Sequence, residues 1–396
     1  MRIKVAAAAP EIIPGRPGQN MANVLAAISR ARADGASLLV LPAGLPEDMN
    51  PGALERQAGP MTVYPLTRAS LSREELMGQH DLDVLCCSAG TPSTATSYFE
   101  NDELAAAASH ENMAVVVMAC PRGGDGGQIY TGQCVIAQNG KVLESADGYA
   151  IAQVTVPSKQ SQPPVEGIVT EQTITPWTPL PEMLPRVLYL QADALSRRMI
   201  ATGATHLAVD VGRSASSLLA LAVCAEAVDL LKLSRKNIHA TVTGNRATQI
   251  AMGMGVSIGT AQGALAVDST DLTARAVEGA APEHYTVNAT VPRSTIQLVM
   301  RHYANTCGDM NLSVPIRSII HDDPEPWELY DFLLHFTLIY NLPKWGAARL
   351  LEDTFQEHYK MDDIRQVLDR FFDNYRRLPP ADGPAVFSLE PKTTIV

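Results

Sequence analysis

The sequence predicts a two-domain α/β protein, and three observations carry that prediction. Short aliphatic runs alternate with helical patterns over residues 1–156, seven prolines fall within residues 157–185, and a strand–helix–strand succession opens residues 186–396. Such alternation builds layered sheets, whereas proline fixes φ and lacks an N–H, so residues 157–185 read as the linker. A chain of 396 residues also suits two cores better than one.

Residues 4–9 read as the first strand; Met21, Val24, Leu25 and Ile28 then recur at helical spacing, and residues 37–41 form a second buried strand. Residues 84–88 and 114–119 are further buried strands, separated by a helix whose apolar face, residues 104–108, is mostly alanine. Residues 129–138 and 141–145 flank Asn139-Gly140, a pair that the type I′ hairpin turn selects because both its positions need positive φ. In the second domain a helix (186–201), a strand (206–211), a long helix (217–231) and a strand (238–242) form a βαβ unit. That order implies a parallel sheet with a right-handed crossover. Further helices are predicted over 295–305, 327–340, 344–355 and 362–376.

Composition narrows the function. Lys and Arg number 31 against 42 Asp and Glu, a formal charge of -11 with no basic run, which argues against nucleic acid and anionic membrane as partners. No apolar stretch approaches the ~20 residues of a membrane helix, and the run from Val5 to Ala9 is short for a signal-peptide core. The reading is a cytoplasmic protein. Cys86, Cys87, Cys120, Cys134, Cys224 and Cys307 form no C-x-x-C pair and sit mostly in apolar strands, as free thiols do in a reducing compartment, so no metal site is expected.

Chemistry has one natural place. The loop Gly212-Arg213-Ser214-Ala215-Ser216-Ser217 follows a strand and opens a helix, where an anion meets free backbone N–H groups. An ordinary serine N-cap reads the same way. Gly123-Gly124-Asp125-Gly126-Gly127 joins two strands and opens no helix, so it reads as a turn, and there is no G-x-S-x-G elbow. His284 and His302 either approach the same cleft or lie solvated.

Several segments, in order, resemble the glutamine-dependent NAD+ synthetases, which join a nitrilase-like glutaminase to an ATP-pyrophosphatase-type synthetase domain. Residues 1–5 with 20–41 are similar to the nitrilase opening, and residues 130–145 to the family hairpin of type G-x-x-L-I-A-E-N-G-x-x-L-x-E-S. Residues 219–237 resemble the helix after the pyrophosphate loop, residues 285–293 (Y-T-V-N-A-T-V-P-R) the family's Y-x-V-N-A-S-V-P-K, and residues 327–334 and 382–384 its C-terminal segments. The resemblance implies a truncated nitrilase-like α-β-β-α sandwich over 1–156 and a Rossmann-like parallel-sheet domain with a helical C-terminal part over 186–396.

The departures from the family decide the functional expectation. A nitrilase-type glutaminase needs a Glu base, an oxyanion-stabilising Lys and a Cys nucleophile. The resemblance places the Glu after Pro42, where this chain has Ala43, and the region carrying the Lys and the I-C-E-D-x-W motif is absent. Cys86 and Cys87 match a later strand and read as packed core thiols, and Glu47 reads as a solvated loop carboxylate. Against the family loop S-G-G-x-D-S, only Ser217 survives; Arg213 and Ser214 add side chains where close backbone approach needs none, and Ser216 replaces the Asp. Against G-T-G-D-L-S-E the chain keeps Asp271 but has Asp268 for a Gly and Ala274 for the Glu. The family's helix rich in Arg and Glu has no room between Val242 and Asp268. Arg293 holds the place of the Lys, as a retained charge or as a helix-capping surface residue.

The resulting expectation is a pseudoenzyme with no catalytic residues and no cofactor. It would serve as a structural or regulatory subunit in a homo- or hetero-oligomer with an intact NAD+ synthetase. A nucleotide sensor using Gly212, Arg213, Ser214, Ser216, Ser217, Asp271 and Arg293 to hold ATP or NAD is the alternative, with a residual glutamine-hydrolysing NAD+ synthase as the third.

Overall fold

The computed structural model describes residues 1–43, 63–68, 71, 83–124, 126–156 and 181–389. Glu47, and residues 157–180 of the expected linker, lie outside them. The chain divides into two compact units, Met1–Thr170 and Glu171–Val396. Among the described residues no helix is long and apolar enough to cross a membrane.

The first unit runs β1 (Arg2–Ala8), β2 (Glu11–Ile12), α1 (Pro17–Ala33), β3 (Leu38–Val40), β4 (Val63–Leu66), β5 (Val84–Ser88), α2 (Ser97–Glu111) and β6 (Val115–Ala119). It continues through β7 (Arg122–Gly123), β8 (Tyr130–Thr131), β9 (Gln133–Gln138), β10 (Lys141–Asp147) and β11 (Tyr149–Thr155). Two main sheets result, ordered β11-β1-β3 and β10-β9-β6-β5-β4. Their inner faces meet through Val5, Ala7, Val117 and Ile136, while the outer face of the larger sheet packs Leu85, Val116 and Met118 against Ala105 and Ala108 of α2. The small alanine side chains let the helix close on the sheet, and the arrangement is the expected α-β-β-α sandwich. Asn139 (φ 54°) and Gly140 (φ 74°) form the hairpin turn between β9 and β10. The strand expected over 129–138 is instead broken at Gly132, whose φ is +80° and where a Cβ would come 2.7 Å from the Arg122 Cβ.

The second unit opens with α3 (Leu184–Thr202), β12 (Leu207–Val211), α4 (Ala215–Leu230), β13 (Ile238–Val242), α5 (Asn245–Gly253), β14 (Ser257–Ile258) and β15 (Leu265–Asp268). A π-helical turn (Ala274–Glu278), β16 (Tyr285–Thr286), α6 (Arg293–Thr306), α7 (Met310–His321), α8 (Trp327–Leu338), α9 (Lys344–Phe355) and α10 (Met361–Asn374) complete it. The five strands are all parallel, in the order β14-β13-β12-β15-β16. Because β13 and β15 lie on opposite sides of β12, the strand order reverses there. The crevice beyond the carboxyl ends of β12 and β15 is therefore the place where such sheets bind ligands.

Two helices were not among those predicted: α5, only nine residues long, and α7, which runs through Pro315. Burial of Leu312, Ile316, Ile319 and Ile320 outweighs the hydrogen bond that Pro315 cannot donate. The central strands also alternate: Leu207, Val209, Val211, Ile238 and Ala240 are buried, whereas Asp210 and Thr241 are exposed. Parallel strands covered on both faces read as continuous apolar runs. The connection from β14 to β15, residues 259–264, carries no helix to cover the second face.

Candidate functional site

The loop after β12 is closed on itself. Ser214, in extended backbone (φ -102°, ψ 146°), caps α4 and accepts a hydrogen bond from the Ser217 N–H at 3.2 Å. The Ser217 hydroxyl donates to the Ser214 carbonyl at 2.9 Å and accepts from the Gly212 N–H at 3.0 Å. Two of the backbone N–H groups that could meet a phosphate, those of Gly212 and Ser217, are thus bonded within the loop. Arg213 is exposed and lies on the other side of the loop, beside Gly244, where an added Cβ would come 3.3 Å from its Nε.

Ser216 points inward. Its hydroxyl donates to Asp271 at 2.6 Å, and the same carboxylate oxygen accepts from Arg293 Nε at 2.9 Å, while the other oxygen accepts from the Ala274 N–H at 2.8 Å. Asp271 is 1% exposed, so its charge has left water and depends on Arg293. The guanidinium reaches Glu278 at 2.5 Å and lies 4.3 Å over the Trp327 ring. Burial alone would lower the Arg293 pKa, but Asp271 and Glu278 together outweigh it and hold the guanidinium above its ordinary value. Asp268 accepts from the Thr270 N–H at 2.7 Å, folding its charge into the adjoining turn.

The start of α6 is sealed as well. Pro292 occupies the cap position and has no hydroxyl or carboxylate to offer, so more distant residues supply the acceptors. The Arg293 N–H donates to Thr273 Oγ1 at 3.0 Å and the Ser294 N–H to Asp331 at 2.7 Å. Thr273 in turn donates to Asp331 at 2.6 Å. Burial raises the Asp331 pKa to about 6, against the pull of these hydrogen bonds and with the help of nearby Asp271. Behind Ser216, the Asn288 amide donates to the carbonyls of Ser216 and Ser269, both at 3.0 Å, and accepts from Gln191 at 2.9 Å.

Of the residues singled out in the sequence, the structure gathers Ser216, Asp271 and Arg293 into one ion-pair network. Gly212, Ser214 and Ser217 form a separate closed turn, with Arg213 outside both. Glu278, Trp327, Asp331, Thr273, Asn288 and Gln191 complete the arrangement and were not singled out. One signal was available for Asp331: it is an acid inside the apolar run Leu-Tyr-Asp-Phe-Leu-Leu of α8. His284 is exposed before β16, and His302 is half-buried on α6.

In the first unit Ala43 stands against the end of β5, its N–H donating to the Ala89 carbonyl at 3.0 Å. Cys86 faces the core between the sheets and Cys87 faces α2. Burial pushes both thiols up to about 12, and Cys87 is raised further by neighbouring Cys120. At neutral pH they are protonated, and a protonated thiol is a poor nucleophile.

No protein-family model and no curated protein sequence matches this chain. Solved structures do. One is the glutamine-dependent NAD+ synthetase from Acinetobacter baumannii in complex with adenosine diphosphate, at 12% identity and a TM-score of 0.63, with 98% of each chain covered. Another is the glutamine-dependent NAD(+) synthetase from Cytophaga hutchinsonii, at 10% identity and a TM-score of 0.66, covering 98% of this chain and 96% of that one. The chain has the fold of these enzymes.

Proposed function

We propose that this chain, built on the fold of glutamine-dependent NAD+ synthetases, is a catalytically silent relative. In this reading it acts as a structural or regulatory subunit beside an intact NAD+ synthetase. One observation carries the reading: at the switch point the Gly212 and Ser217 N–H groups are bonded within the loop and Asp271 is held by Arg293. A phosphate that used those two N–H groups would have to break these bonds, and it would lie near the buried carboxylate of Asp271. In the first unit the position where the family resemblance puts the base holds Ala43, and Cys86 and Cys87 are buried and protonated, which supports a silent glutaminase half.

Co-expression with the NAD+ synthetase of the same source, followed by size-exclusion chromatography with mass measurement, tests the proposal. The expected outcome is one mixed species. Two species that never co-elute, with synthetase kinetics unchanged by excess of this chain, overturn it. Exposed Arg213 at the carboxyl edge of the sheet favours a second reading, the nucleotide sensor. ATP or NAD binding in calorimetry that weakens in Arg213→Ala would select it.

A further inference from the structure

The C-terminal segment of the second unit carries no helix or strand from residue 375 to 389, and Pro379, Pro380 and Pro384 lack the N–H that either would need. The hydrogen bonds that hold it go to the body of the unit instead. The Arg376 N–H donates to the Ala276 carbonyl at 3.0 Å, and the Asp382 carbonyl accepts from the Thr286 N–H at 2.7 Å. The Asp382 side chain pairs with Arg198 of α3. The Pro384 carbonyl accepts from Thr290 Oγ1 at 3.2 Å, and the Phe387 N–H donates to the same oxygen at 3.1 Å. Val386 and Phe387 are buried and anchor the far end. The near end is held by Arg275 of the π-helical turn, whose guanidinium donates to the Pro379 and Ala289 carbonyls, both at 2.5 Å.

Arg275 holds this segment in an unusual way. It is 6% exposed, no carboxylate pairs with it among the described residues, and its Nε has no hydrogen-bond partner. A cation taken out of water without a counter-charge stabilises the docked segment less than an ion pair would, and undocking returns it to water. With no ladder of its own to break, the segment leaves the body at a lower cost than unfolding the sheet. What it leaves behind is the turn over residues 286–291. The docked segment supplies the acceptor for the Thr286 N–H, and Gly383 lies so close that a Cβ there would come 3.0 Å from the Ala289 Cβ. Asn288, in the same turn, holds the carbonyls of Ser216 and Ser269 at the crevice. We infer that residues 376–387 form a latch, closed by Arg275, which opens as one unit and so decides whether the 286–291 turn and its Asn288 stay fixed against the crevice. The inference holds whether or not the crevice binds a nucleotide.

Amide hydrogen exchange of the full chain, read residue by residue by NMR at low denaturant, tests it. The Arg376, Thr286 and Phe387 N–H groups each donate across the latch. They are expected to share one opening equilibrium, larger by about 10-fold or more than that of β12 and β13. Arg275→Met keeps the length of the side chain but leaves the carbonyl of Ala289, a residue only 3% exposed, without its donor. It is expected to speed exchange at those amides, and at Val287 and Ala289, by about 10-fold or more, with β12 and β13 unchanged. Latch amides that open independently of one another, or no more often than the sheet, overturn the inference on the unaltered chain, whatever the folding of the variant. In Arg275→Met, no acceleration overturns it as well, and so does equal acceleration of latch and sheet, since Arg275 would then support the whole unit.

Discussion

Replacing Arg293 with alanine is expected to cost about 3–5 kcal/mol of stability, the usual penalty for removing one partner of a buried ion pair. Asp271 is 1% exposed, and without the guanidinium it keeps only the Ser216 hydroxyl and the Ala274 N–H for an unreduced negative charge. Urea unfolding reads the loss as a lower midpoint at unchanged slope. Two companion variants separate this cause from lost packing over Trp327. Arg293→Ala combined with Asp271→Asn is expected to recover a large part of the loss, because no buried charge then remains. Glu278→Ala is expected to cost under about 1 kcal/mol, since Glu278 is 49% exposed and water already screens it.

The second large effect is expected at Gly383. A Cβ there would lie 2.0 Å from the Thr286 carbonyl oxygen and 3.0 Å from the Ala289 Cβ. Thr286 cannot yield easily: its N–H donates to the Asp382 carbonyl at 2.7 Å, and its hydroxyl donates to the Thr270 carbonyl at 2.8 Å. The segment that follows is fixed too, with Thr290 Oγ1 donating to the Pro384 carbonyl and accepting from the Phe387 N–H. Gly383→Ala is therefore expected to lose about 3 kcal/mol and to expose the C-terminal segment to protease. Gly203→Ala, with φ +71° but nothing within 4 Å, is expected to cost about 1 kcal/mol from backbone strain alone. Similar losses at the two glycines would show that crowding against Thr286 is not the cause.

The local parts of this fold were legible in the sequence because their signals are local. Asn139-Gly140 announced a turn, the 3.6-residue spacing within α1 announced a helix, and the serines after β12 announced an N-cap. β14 and β16 have two residues each, too few for any periodicity, and α7, which holds an interior proline, was not predicted. The candidate site was half legible. Its residue types could be picked from the loop and from the motif holding Asp271, but the pairing of Asp271 with Arg293, and the capping of α6 by Asp331, bring together residues distant in sequence. Only the packed helices define those pairings. The alternation of Leu207 to Val211 and of Ile238 to Val242 did contain a readable signal, that Asp210 and Thr241 lie on a less buried face of the parallel sheet.

The most direct test of a closed, silent site is the reaction itself. The purified chain is incubated with nicotinate adenine dinucleotide, ATP and Mg2+, supplied in parallel with ammonium or with glutamine, and NAD and pyrophosphate are measured. With the Gly212 and Ser217 N–H groups bonded within the loop and Asp271 bound to Arg293, no product above the protein-free blank is expected from either nitrogen source. NAD accumulating in proportion to the chain added, from ammonium or from glutamine, would contradict the account.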